Sequence, residues 1–362
     1  MRMRIILIVG IACLLAAAVF VWSGAFNVAA TSGHFKLTGW FLHYVMRQSV
    51  ETHSMGIVVP DLDDPVLIRR GGAHFETACV FCHGSPLTES SPVARQMTPA
   101  PPSLNTTLDT WEPSELFWIV KHGIKYTGMP AWPAQDRDDE VWAVVAFLRV
   151  LPTISADSYQ ETAFGSSNAE YGATPTNLAQ IKGCSRCHGR DGKGDAGGAF
   201  PRLDIQTREY LNAALQSYVD GRRQSGIMEA AVTGLTADDI DALARYYPTP
   251  AQPSQLNAQP ADRRLLSRGQ TIAERGVADK KIPACASCHQ SSGGTLNSRP
   301  DFPRLEGQHH RFLIDQLKLF AAEKDRGGTP FVGLMTSFAH ELDEKEIQAV
   351  AAWYAELDAN SR

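Results

Sequence analysis

The 362-residue chain has no run of alternating apolar and polar residues that reads as a strand, so helices are the regular structure to expect. It has no basic excess: 34 lysines and arginines stand against 39 acidic residues, for a formal charge of −5. That balance argues against a nucleic-acid partner. Long apolar runs are scarce as well. The single one, Ile5 to Trp22, follows Arg2 and Arg4. At about 1.5 Å per residue it spans roughly 27 Å, enough for the hydrocarbon core of a bilayer. Arginines at its start favour a cytoplasmic N-terminus and an external body. The competing reading is a cleaved signal peptide ending at Val28-Ala29-Ala30, and either reading exports the chain.

Cysteine is also in short supply, because nearly all of it serves one motif. Seven cysteines are present, and six fall in three copies of Cys-x-x-Cys-His. The copies are Cys79-Val-Phe-Cys82-His83, Cys184-Ser-Arg-Cys187-His188 and Cys285-Ala-Ser-Cys288-His289. The seventh, Cys13, sits in the apolar run, so none is left for a structural disulfide. The first cysteines lie 105 and 101 residues apart. Each copy is followed by a Gly/Pro-rich loop, a helical stretch, a methionine and a closing amphipathic run.

The closing runs are Asp136 to Leu151, Thr236 to Tyr247 and Asp343 to Leu357. Each opens on a capping residue with an acid three positions on: Asp136/Asp139, Thr236/Asp239 and Asp343/Glu346. Val141, Val144, Val145 and Leu148 then recur at helical spacing. Residues 156–168 and 248–262, rich in Ser and Ala and in Pro and Gln respectively, read as linkers. The stretch His34 to Arg47 reads as an amphipathic helix, placed either at a membrane interface or against the first unit.

On a helix the two cysteines and the histidine of the motif share one face. Two thioethers to a haem's vinyl groups and an imidazole under its iron need that arrangement, and the pentapeptide is the c-type haem attachment signature. Three copies therefore predict three c-type haems, held by Cys79, Cys82, Cys184, Cys187, Cys285 and Cys288, with His83, His188 and His289 on iron. Zinc is the competing metal, but a tetrahedral zinc site combines two ligand pairs, and here each pair stands alone in its unit. Low-spin iron needs a second axial ligand, and methionine raises the potential relative to a second histidine. Met129, Met228 and Met335 follow their histidines by 46, 40 and 46 residues. Met97 is the rival in the first unit, and His122, His309, His310 and His340 are rival ligands elsewhere. Core packing is the alternative role for each methionine.

With these residues in view, positions 68–362 resemble bacterial class I cytochrome c domains. The second and third units resemble the halves of dihaem cytochrome c4, on Cys187-His-Gly-Arg-Asp-Gly-Lys-Gly194, Phe-Pro-Arg-Leu at 200–203 and 302–305, Glu306-Gly-Gln308 and the run Tyr210 to Gly221. The first unit resembles single-haem domains of membrane-bound cytochromes, on Lys121-His-Gly-Ile-Lys-Tyr-Thr-Gly-Met-Pro-Ala-Trp132. The resemblance implies that Pro201, Pro303 and either Pro101 or Pro102 accept a hydrogen bond from the proximal imidazole. It also implies Arg202 and Arg304 as partners of haem propionates, and two haems facing each other across an interface. The chain departs from that family at the 248–262 linker and in having Asp204-Ile-Gln where the third unit has Glu306-Gly-Gln, which leaves the interface open.

The expected architecture is all-α: an anchor (1–22), a juxtamembrane segment (23–67) and three tandem class I cytochrome c domains at 68–155, 168–250 and 262–362. The expected role is electron transfer rather than catalysis. The haem domains would lie on the periplasmic face of a bacterial inner membrane, in the respiratory chain, between a quinol-oxidising complex and a terminal oxidase. The alternative is the cytochrome subunit of a periplasmic dehydrogenase. A dihaem-peroxidase-like enzyme would need an iron with an open distal position.

Overall fold

The computed structural model describes residues 2–165, 179–195, 197–247, 262–289, 299–322, 326–327 and 331–357. Among these residues all regular structure is helical. The only β-type pairings are two isolated bridges, Arg223 with Arg326 and Val277 with Ile282.

Helix α1 (Arg2–Trp22) is exposed along its whole length and is long and apolar enough to cross a membrane. Helix α2 (Lys36–Ser54) combines the two placements expected for its segment. Its first half exposes Trp40, Phe41 and Tyr44, while its second half buries Val50 on the first unit. There the Arg47 guanidinium lies 4.3 Å over the Trp111 ring and donates to the Thr110 carbonyl.

The first unit contains α3 (Pro65–Ala78), α4 (Val80–His83), α5 (Pro92–Arg95), α6 (Leu104–Thr107), α7 (Pro113–His122), α8 (Asp138–Val150) and α9 (Ala156–Phe164). Asp64 caps α3 just ahead of Pro65, accepting from the Val66 amide. Helices α3 and α8 cross at Gly71, where a β-carbon would overlap the Ala143 carbonyl oxygen, so only glycine allows the close approach. Around the crossing, Phe75, Val141, Val144 and Phe147 fill the core. The first ten residues of the expected 156–168 linker are not a linker. Ser155 caps α9, whose Tyr159 is fully buried against α3 and donates to Glu76 at 2.6 Å. Residues 166–168 and the 248–261 part of the second linker lie outside the described residues.

The second unit contains α10 (Ala179–His188), α11 (Arg208–Val219), α12 (Gly226–Val232) and α13 (Ala237–Tyr246). The third contains α14 (Arg263–Arg275), α15 (Ala286–His289), α16 (His310–Ala321), α17 (Val332–His340) and α18 (Glu344–Glu356). Helices α14 and α18 repeat the glycine crossing, with Gly269 against the Ala349 carbonyl. The expected capping boxes form at Thr236/Asp239 and Asp343/Glu346. The third does not: Arg137 occupies the cap of α8, and its guanidinium pairs with Asp139 through two 2.8 Å hydrogen bonds. Among the described residues, the second unit's own core cluster is centred on Leu211, Ala244 and Tyr247.

Candidate haem-binding sites

The first and third Cys-x-x-Cys-His motifs lie on the short helices α4 and α15, and the second closes α10. In the first, the Cys82 and His83 amides both donate to the Cys79 carbonyl, and Cys288 and His289 donate likewise to Cys285. The three imidazoles are anchored in one way. Nδ1 of His83 donates to the Pro102 carbonyl at 3.1 Å, that of His188 to Pro201 at 3.2 Å, and that of His289 to Pro303 at 2.9 Å. Pro102, not Pro101, is therefore the acceptor in the first unit. The bond fixes the tautomer and turns Nε2 outward as a donor for a metal. Burial lowers the pKa of all three histidines, keeping them neutral as coordination requires.

Burial also raises the thiol pKa at Cys79, Cys184, Cys187 and Cys285. Burial pushes the Cys79 thiol up to about 12, and those of Cys187 and Cys285 to about 11. A zinc site would need four ligands, yet the described residues contain no group of three His, Cys, Asp or Glu placed to hold a metal ion. A pair of thiols beside one oriented imidazole suits thioether attachment of a haem.

The third unit shows the site in most detail. One cavity is lined by Cys285, Cys288 and His289 together with Met335 on α17, and its walls are apolar: Phe302, Leu313, Phe338 and Val350 among them. Three polar groups also reach it. The Tyr354 hydroxyl and the Nε of Arg223 and of Arg326 are buried without a hydrogen-bond partner. Burial beside the Arg223 cation lowers the Arg326 pKa to about 10. Two buried cations with an unpaired Nε each and an unsatisfied phenol on an apolar cavity match a large apolar ring bearing carboxylates, so the residues present fit a haem. Neither arginine was singled out from sequence, and no local pattern marks them, since Arg223 reaches the third cavity from the second unit. Arg202, implied as a propionate partner, is instead buried and bonded to Asp204 and to the Gly307 carbonyl. Arg304 is exposed.

In the first unit Met129 is half-buried in the loop between α7 and α8, its carbonyl accepting from the Ile124 amide. The Met97 sulfur packs against Gly128, so both candidate methionines converge on one loop. Met228 lies in the first turn of α12, its amide bonded to the capping Ser225 hydroxyl at 3.1 Å. Of the rival histidines, His122 and His310 are exposed and His340 Nδ1 engages the Ala321 carbonyl. His309 is not a surface residue: it is buried, and its Nε2 bonds the Lys193 carbonyl of the second unit at 2.8 Å.

The interface between the second and third units forms despite the departures noted above. Gln308 pairs with both backbone groups of Arg202, accepting from N at 2.8 Å and donating to O at 3.0 Å. Gln206 does the same to Arg304, with both bonds at 2.9 Å. Each amide thus clamps the residue next to the proline that holds the other unit's imidazole.

Comparison with known proteins agrees with this geometry. The family model described as cytochrome c oxidase, cbb3-type, subunit III matches residues 66–148, and the cytochrome c model matches 176–249 and 266–358. A thiosulfate dehydrogenase electron acceptor from Thiomonas intermedia is 33% identical over 192 residues, covering 53% of this chain and 85% of that protein. Cytochrome c4 of Pseudomonas aeruginosa is 30% identical over 182 residues, covering 50% and 87%. The solved structure of Acidithiobacillus ferrooxidans cytochrome c4 aligns at 30% identity with a TM-score of 0.42, covering 48% of this chain and 98% of that one. With three motif-bearing helical units and relatives matched over most of their length, the chain belongs to the cytochrome c family, and its second and third units resemble dihaem cytochrome c4.

Proposed function

We propose that this cytochrome c is a membrane-anchored electron carrier with three covalently bound haems, ligated by His83 and Met129, His188 and Met228, and His289 and Met335. The observation that carries the reading is the third cavity, where the chain supplies both an oriented imidazole and a methionine to one apolar chamber. Bound haem supplies iron that alternates between its ferric and ferrous states. The protein's part is to hold both axial positions, so that little rearranges as the charge changes and no position is left for a substrate. Pro102, Pro201 and Pro303 hold the imidazoles and strengthen them as donors. Arg223, Arg326 and Tyr354 would meet the carboxylates of the third haem.

The test is a haem count with a carbon monoxide difference spectrum on the reduced protein. Three haems and no carbon monoxide binding are expected. One haem that binds the gas in the parent protein would move the peroxidase-like reading to the front.

In this reading α1 anchors the chain in the bacterial inner membrane with Arg2 and Arg4 in the cytoplasm and the haem units in the periplasm. The exposed aromatic half of α2, with Trp40 stacked on Tyr44, lies at the membrane surface. Replacing residues 1–22 by a cleavable signal is expected to release the holoprotein into the soluble fraction. Retention on the membrane would assign the anchoring to α2 or a partner.

The respiratory role sets the carrier between a quinol-oxidising complex and a terminal oxidase. A second reading, as acceptor for a periplasmic dehydrogenase, is favoured by two relatives named thiosulfate dehydrogenase electron acceptor. Reduction of the purified protein by a quinol-oxidising complex, but not by a thiosulfate-oxidising enzyme, would decide for the first.

A further inference from the structure

The first unit reaches into the second at one buried point. Glu140, in the first turn of α8, is 2% exposed, accepts three hydrogen bonds and forms one ion pair. Its Oε1 accepts from the Ser225 hydroxyl at 2.5 Å and is ion-paired with the Arg137 guanidinium at 2.9 Å. Its Oε2 takes the Gly226 amide at 2.8 Å and the Trp132 indole N–H at 3.2 Å. Arg137 also donates to the Gln224 carbonyl at 2.9 Å, and Arg326 of the third unit donates to the same oxygen at 2.9 Å. Three consecutive residues of the second unit, 224 to 226, are therefore fixed by side chains from the other two.

These residues lead directly into Met228. The Ser225 hydroxyl that donates to Glu140 also accepts from the Met228 amide at 3.1 Å. On the other side there is no slack, because a β-carbon on Gly226 would stand 2.5 Å from the Trp132 indole nitrogen. Trp132 is in turn only three residues from Met129. The turn that carries one distal methionine is thus pressed against the loop that carries the other.

We propose that Glu140 of the first unit is a positioning residue for the distal ligand of the second haem, with the Trp132 face as its backstop. This rests on the reading of Met228 as that ligand. The first unit then adjusts the haem next to it, and a disturbance of the α8 N-terminus is felt at the second iron before the third.

The test uses the full-length holoprotein with all haems attached. Glu140→Gln keeps the shape but cannot accept through its amide nitrogen, so either Ser225 or Gly226 loses its acceptor. Gly226→Ala disturbs the same contact from the other side and leaves Glu140 and Arg137 intact, in case the first variant fails to fold. Met228→Ala identifies the second haem's upfield ligand-methyl signal in the proton spectrum of the reduced protein. Expected in both variants are a shifted or weakened Met228 methyl signal, a lower midpoint for the second haem, and carbon monoxide occupancy there raised roughly tenfold or more, the factor set by losing one hydrogen bond to a charged group. The third haem's signals should move less than the second's, since the turn reaches its cavity only through Arg326 on the Gln224 carbonyl. If Met228→Ala opens the second haem while both other variants leave it as in the parent, the positioning role is overturned. If Met228→Ala leaves it closed, the ligand assignment itself has failed and the proposal falls with it.

Discussion

Met335→Ala is expected to produce a reduced protein with a third haem that binds carbon monoxide and has a lowered midpoint potential. Met335 is the only methionine in its unit and shares its cavity with His289. No imidazole stands ready to replace it. His309 is bonded to the second unit, His340 to the Ala321 carbonyl, and His310 is exposed. Loss of the thioether should leave the distal position to water or an added ligand. Axial ligation moves haem potentials over a range of about 0.8 V, so a fall on the order of 100 mV or more is the expected scale. A redox titration with carbon monoxide difference spectra reads both effects. An unchanged spectrum and midpoint would show that another residue ligates the iron.

Gly269→Ala should be among the most destabilising substitutions outside the motifs. A β-carbon there overlaps the Ala349 carbonyl oxygen and lies 2.8 Å from the Trp353 β-carbon. Both are fixed parts of α18, so neither can rotate away, and the helices must separate across the core that Ile272, Ile347 and Val350 fill. Overpacking of a tight core costs about 1–3 kcal/mol, and a clash with backbone belongs at or above the top of that range. Gly183→Ala is the matched control. Gly183 lies on α10 with nothing near its missing side chain, so alanine should add helix propensity and gain up to about 1 kcal/mol. Thermal unfolding followed by circular dichroism compares the two. Equal melting temperatures would mean that the crossing yields more readily than its geometry implies.

Local features of this protein are legible in its sequence. The motif turns, the proline acceptors implied by family resemblance, the exposed apolar helix and two of three capping boxes all depend on residues close in sequence. What escaped depends on distant partners. Asp136 and Asp139 carry the same spacing as the other caps, but Asp139 is claimed by Arg137, whose guanidinium also faces Glu140 and the second unit. Helix α9 was hidden because its composition is that of a linker. It is held by Tyr159 and by Arg69, which donates to the Thr162 carbonyl, and both contacts span more than eighty residues. His309 reads as a surface histidine until the Lys193 carbonyl is brought to it. Arg223 and Arg326, 103 residues apart, gain their meaning only from the cavity they share. The distal methionines stand between these cases. Spacing selected them, the third cavity gathers Met335 with His289, and Met97 and Met129 still meet on one loop.

The exchange of glutamines between the second and third units has an electrical consequence. His188 donates to the Pro201 carbonyl, and the next amide in the chain, that of Arg202, donates to Gln308. The same sequence of bonds runs from His289 through Pro303 and Arg304 to Gln206. Peptide groups in such chains polarise one another, so a stronger demand on one imidazole proton is transmitted through the amide to the opposite unit. Any free energy by which oxidation at one proximal histidine alters the other must act equally in reverse. Each proximal imidazole is thus joined, through one peptide group, to a glutamine side chain of the opposite unit.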